Sequence, residues 1–179
     1  MSADEYLAWS EHAPGRYELF GGEVVAQAAE RAAHAKVKGE TFVALRSAIR
    51  RSGVPCRAFP DGMAVRVDSS TVYEPDAQVH CGPELPPDAV LVLNPVIVVE
   101  VISPSTGRND ALAKLEGYFR IPSVQHYLIV DPNKPGVIRH SRGVDETILT
   151  QIFSRGAITL DPPGLTIEID EIYGATPTA

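Results

Sequence analysis

The sequence predicts a mixed α/β fold: one domain spanning residues 1–179, with a central sheet flanked by helices. Three observations carry this. Val96–Ile102 is an almost unbroken run of β-branched residues, the mark of a strand buried on both faces. Two segments, about Glu30 to Arg51 and about Asp110 to Arg120, change to a helical period. The second of these lies between two apolar strand-length runs, which is the order of a strand–helix–strand unit. A chain of this length can bury a core without staples.

Tyr17–Phe20 and Glu23–Ala26, separated by Gly21-Gly22, read as a β-hairpin, because the glycine pair allows the positive φ of a tight turn. In the helix that follows, Val37, Thr41, Ala44, Leu45, Ala48 and Ile49 form one stripe, and Lys36, Lys38, Arg46, Arg50 and Arg51 fall largely off it. Gly53 and Pro55 end that helix. Val54–Phe59 and Met63–Val67 read as strands, and Pro75–Val79 as a short strand entered through a proline. Gly82–Asp88 is a proline-rich surface loop. After the Val96–Ile102 strand, Ser103-Pro104-Ser105-Thr106-Gly107 is a break, with Ser103, Ser105 and Thr106 suited to a turn and helix N-cap. Leu112, Leu115, Tyr118 and Phe119 form the inner face of the second helix. Val124–Val130 is another buried strand, stopped by Asp131-Pro132. Val137–Arg139, Thr147–Phe153, Ala157–Leu160 and Leu165–Ile169 read as a C-terminal antiparallel meander.

With 44% apolar and 22% charged residues the balance is that of a soluble globular protein. No apolar run approaches the roughly 20 residues of a membrane helix. The acidic N-terminus lacks the apolar stretch of a signal peptide. Cys56 and Cys81, far apart in sequence, suggest neither a disulfide framework nor a zinc motif, so a reduced, cytoplasmic protein is expected. The net charge of −7 argues against strong non-specific DNA binding. It does not exclude a nuclease, whose metal-binding carboxylates contribute to the count.

Three residues concentrate the chemistry. Glu100 interrupts the most apolar run of the chain, on the same strand face as Val98 and Ile102. A carboxylate there needs a cation, a metal or a proton. Asp76, on a neighbouring strand, can share a divalent ion with it, and hard oxygen ligands favour Mg²⁺ or Mn²⁺. Lys114 lies beside Tyr118 on the flank of the helical stripe, where its stem can follow the sheet while its ammonium reaches the acids.

These stretches resemble the Uma-type family of inferred restriction endonucleases, a bacterial branch of the PD-(D/E)XK superfamily. The resemblance runs over Tyr17–Val25, His34, Pro75-Asp76, Pro95–Thr106, Asp110–Leu115 and His126–Pro132. It implies a restriction-endonuclease-like fold, a metal held by Asp76, Glu100 and the Val101 carbonyl, and a DNA substrate. It also implies a catalytic lysine that has moved to the helix as Lys114, since Ile102 stands where the superfamily motif has lysine. By analogy a homodimer is expected.

Each residue has a plainer alternative. Glu100 can form a buried salt bridge to Lys114 without metal. Asp76 can be a strand-entry residue, and Lys114 a solvent-facing partner of Asp110. His34, on the first helix, either contacts phosphate or a water at the metal, or is a core-edge histidine bonded to backbone. Two rival functions remain open: a nuclease fold that binds nucleic acid or a partner without cleaving, and a hydrolase of small phosphoesters.

Overall fold

The computed structural model describes residues 1–102 and 108–174. The chain begins with helix α1 (Ala3–Ser10), started by a capping box in which Ser2 and Glu5 exchange hydrogen bonds. The hairpin β1 (Tyr17–Phe20) and β2 (Glu23–Ala26) follows as expected, with φ of 53° at Gly21 and 89° at Gly22. Helix α2 (Ala32–Ser52) ends at Gly53 in the left-handed conformation. Next come β3 (Cys56–Pro60), β4 (Val65–Arg66), β5 (Val72–Tyr73), β6 (Ala77–Cys81) and β7 (Pro95–Val101). Helix α3 (Arg108–Arg120) connects β7 to β8 (His126–Val130). The chain continues through β9 (Val137–Arg142), β10 (Ile148–Phe153), β11 (Ala157–Leu160), β12 (Leu165–Glu168) and α4 (Ile169–Tyr173).

Among the described residues the central sheet has six strands in the order β10-β9-β8-β7-β6-β3. It is mixed: β7 and β8 run parallel across the α3 crossover, and the other neighbours are antiparallel. Strand alternation divides two cores. Ile97, Val99 and Val101 face α2, α4 and the β11–β12 hairpin; Val98 faces Tyr118, Ile121 and Tyr127 on the α3 side. The expected α2 stripe of Val37, Thr41, Ala44, Leu45, Ala48 and Ile49 is buried throughout.

Three expectations need correction. Met63–Val67 pairs with β5 only at Val65–Arg66, with Ala64 bridging to Leu91, because Asp68 accepts from the Ser70 N–H and turns the chain back into β5. These strands join β1 and β2 in a separate four-stranded sheet, order β2-β1-β5-β4. The C-terminal meander is divided: β9 and β10 extend the central sheet, and β11–β12 form their own two-stranded sheet. That hairpin covers α2 with Ile158, Leu160, Leu165 and Ile167, all on one face by alternation. Lys38, off the apolar stripe, is nonetheless buried, since it reaches Glu30 and Asp61. Finally, Cys56 and Cys81 form a disulfide, because the β3–β6 register sets them opposite each other despite a sequence separation of 25. No helix among the described residues is long and apolar enough to cross a membrane. The expected turn at Ser103, Ser105 and Thr106 and the Asp110 side chain lie outside the described residues.

Gly117 in α3 is a packing requirement: a Cβ there would lie 2.6 Å from the Tyr73 ring. That ring donates its hydroxyl to the Ala113 carbonyl at 3.4 Å and lies 5.6 Å from the Lys114 ammonium. Gly117→Ala is therefore expected to cost about 1–3 kcal/mol by overpacking. Urea unfolding midpoints check it; an unchanged midpoint would mean that the helix shifts freely.

Candidate active site

The carboxyl end of β7, next to the α3 crossover, collects the polar residues that the two cores exclude. Parallel strand ends of this kind are where α/β sheets place ligands. Glu100 projects to the α3 side, in the alternation that buries Val98 there. Its Oε1 accepts from Lys114 Nζ at 2.9 Å and from the Tyr118 hydroxyl at 2.6 Å. Lys114 is 7% exposed, so the solvent-facing alternative does not hold. Burial alone would lower its pKa, but Glu100 and Glu18 outweigh burial and raise it, and the ammonium stays charged.

Glu18 on β1 was not singled out by sequence. Its Oε1 accepts from Lys114 Nζ at 3.0 Å and from the Glu74 N–H at 2.8 Å. Burial is the largest influence on it; Lys114 opposes and Glu100 reinforces the effect, leaving its pKa at about 7. The available signal was a glutamate inside a hairpin strand flanked by apolar residues, which is common on any half-exposed strand.

Asp76 lies immediately before β6, with its N–H on the Val99 carbonyl. Its Oδ2 accepts from the Val101 N–H at 2.7 Å, gripping the residue next to Glu100. Burial, then the charge of Glu100, raises its pKa to about 7, against the Val101 hydrogen bond and the attraction of Lys38 and Lys114. Asp76 and Glu100 thus share one electrostatic environment at the end of β7.

His34 approaches from α2. Its Nε2 is 3.0 Å from the Val101 carbonyl oxygen and 3.6 Å from Asp76 Oδ2. A carbonyl can only accept, so Nε2 carries the hydrogen, by assignment from this contact. Nδ1 is then a buried nitrogen with no hydrogen-bond partner, 3.7 Å from Glu30 Oε2. Ligand atoms of Glu30, His34 and Asp76 lie within 4.8 Å of one another. Glu30 also bonds to Lys38 and Arg16, and Arg16 extends the network to Asp61 and Glu74. His34 is thus bonded to backbone, as its plainer alternative expected, and it also borders Asp76.

A family model described as "Uma2: Putative restriction endonuclease" matches residues 3–171. The chain belongs to the Uma2 family. An uncharacterized protein of Synechocystis is 25% identical over 175 residues, covering 97% of this chain and 91% of the relative. A crystal structure titled as a "putative nuclease belonging to DUF820", from Anabaena variabilis, has a TM-score of 0.75 at 16% identity, with 97% of each chain covered. That likeness is one of fold: a mixed central sheet with flanking helices in a nuclease-like arrangement.

The donor set of this Uma2 chain fits a hard divalent cation. Glu18 and Glu100 share the buried Lys114 ammonium, and Asp76, buried at the same strand end, feels the charges of Glu100, Lys38 and Lys114. The pKa of Asp76 is raised first by burial and then by the charge of Glu100, and a bound cation would offset both. The donors are oxygens, as Mg²⁺ and Mn²⁺ prefer. The Val101 carbonyl retains a second lone pair beside its His34 contact. A cavity of about 360 Å³, lined by Tyr6, Arg16, Tyr17, Asp61 and Glu74 among others, lies beside this cluster; Asp76, Glu100 and Lys114 are not among its lining residues. His80-Cys81 is no soft-metal site, since Cys81 is in the disulfide and His80 contacts the Asn94 and Pro83 carbonyls.

Proposed function

We propose that this Uma2 chain is a metal-dependent endonuclease that hydrolyses phosphodiester bonds in DNA. The observation that carries the reading is the gathering of Asp76, Glu100 and Lys114 at the end of β7, where Asp76 grips the Val101 amide and Glu100 takes the Lys114 ammonium. In this reading Asp76, Glu100 and the Val101 carbonyl hold Mg²⁺ or Mn²⁺. When bound, the ion supplies Lewis-acid charge to a phosphoryl oxygen and lowers the pKa of a water. Lys114 directs its ammonium at the attacking water or at the charge developing on phosphorus. Water oxygen bonds to phosphorus as the bond to the leaving sugar oxygen breaks. His34 holds the Val101 carbonyl in line and borders Asp76. The family's description supports the nuclease reading. A homodimer, to cut both strands, and a cytoplasmic setting belong to the same proposal.

The test is incubation of the pure protein with supercoiled plasmid and Mg²⁺ or Mn²⁺, with a chelator control. Nicking that the chelator stops is the expected result. Band shifts without nicking would favour the binding-only alternative, and a nucleotide panel would reveal a small-phosphoester hydrolase. Metal affinity is also expected to depend on pH. Below about pH 7 Asp76 holds a proton that the ion must displace. Mn²⁺ affinity is therefore expected to rise by up to roughly tenfold per pH unit from pH 5 to 7 and then level off. Calorimetric titration at several pH values measures this; a flat profile would remove Asp76 from the ligand set.

A further inference from the structure

Glu18 has no role in the reaction as set out above, yet its side chain is 8% exposed while that of Glu100 is 16% exposed. One of its oxygens takes both the Glu74 N–H and the Lys114 ammonium, so it joins β1, the segment entering Asp76, and α3. Its own strand is anchored: the next residue, Leu19, is fully buried against α1 and Val72. Glu100 is differently placed, because its Oε1 already serves Lys114 and Tyr118. A cation taken up by Glu100 competes for those lone pairs and repels the ammonium. A lysine stem has ample rotamer freedom to swing away when one contact is lost.

We propose that Glu18 is a positioning residue, which holds the Lys114 ammonium at the site when Glu100 turns to a cation. The proposal rests on the nuclease reading of Asp76, Glu100 and Lys114. A carboxylate that does not bind the ion keeps the lysine in place, and the Tyr73 ring closes another side of the ammonium. The lysine can then act on phosphate without remaining locked to the metal ligand.

Glu18→Gln tests this, since glutamine still accepts from the Glu74 N–H and loses only the charge. The first measurement does not need activity: an amine-reactive ester acylates the full-length protein, and mass spectrometry reads Lys114. In Glu100→Gln, Lys114 stays as protected as in the wild type, because Glu18 holds it. In the Glu18→Gln/Glu100→Gln double variant, labelling rises by at least roughly tenfold through local exposure. Equal labelling of single and double variants overturns the proposal, whatever the protein does to DNA. Should the double variant not fold, Glu18→Gln alone is labelled with and without Mn²⁺; a rise of that size with the ion supports the proposal, and no rise overturns it. The second measurement is kinetic: kcat for plasmid falls roughly 10- to 100-fold in Glu18→Gln while KM holds. An unchanged kcat, or a change in KM alone, overturns the positioning role. A wild type that cuts nothing overturns the nuclease reading instead, and the labelling of the Glu100→Gln pair still decides Glu18.

Discussion

Asp76→Asn is expected to abolish metal-dependent cleavage while leaving the fold as stable as before or more so. Asparagine retains an oxygen to accept the Val101 N–H, so the contact that fixes this corner survives. The charge that attracts a divalent cation is lost. Losing it should reduce the rate by three orders of magnitude or more, on the order of 4 kcal/mol of barrier. Stability moves the other way. With a folded pKa of about 7 against an ordinary aspartate value of 3.8, the folded protein binds a proton that the unfolded chain has released across that interval. Ionised Asp76 thus costs the metal-free wild type stability progressively as pH rises from about 4 to 7, and fully above it. Asp76→Asn removes this penalty, so its melting temperature should exceed that of the wild type at pH 8 and converge with it towards pH 5. Plasmid cleavage and thermal unfolding at the two pH values check both halves. Full cleavage by the variant would remove Asp76 from the metal site, and a variant markedly less stable at pH 8 would contradict the electrostatic account.

Lys114→Met is expected to lose activity and stability together. Methionine keeps the length of the stem and removes the ammonium that Glu18 and Glu100 share at 3.0 and 2.9 Å. Breaking a buried ion pair from one side typically costs about 3–5 kcal/mol, because the remaining charge is uncompensated. For a chain of this size that corresponds to a fall in melting temperature of roughly 10 °C. The loss should be largest at pH 8 and smaller near pH 5. Glu18, already at about 7 with the lysine present, rises further without it and takes up protons in the folded state, and that relief disappears as pH rises through the raised value. Adding Glu18→Gln should restore part of the stability and none of the cleavage. Denaturant titrations of the single and double variants measure this, and a destabilisation below about 1 kcal/mol would show that Lys114 is not the counter-ion of the cluster.

Most of the architecture could be read along the chain. The Gly21-Gly22 turn, the buried α2 stripe and the β7–α3–β8 crossover each follow from local chemistry: a positive φ, a period near 3.6, a β-branched run. The elements that were missed had weaker local signals. Helix α1 carries only a Ser2–Glu5 capping box, and β5 spans only two residues. The division of the C-terminal meander depended on which core each apolar face found, and the disulfide on a strand register.

For the candidate site, sequence by itself determined that Glu100 is a carboxylate in a strand buried on both faces and that Lys114 lies on the flank of the next helix. Both follow from periodicity, since a strand alternates and a helix turns by a fixed angle whatever surrounds them. Only the tertiary structure decided that Glu18 joins them, that Asp76 grips the Val101 amide, and that His34 and Glu30 border the same corner. Those contacts connect residues far apart in the chain through sheet pairing and helix packing. Such distances are set by the whole fold, and no local pattern of residues encodes them.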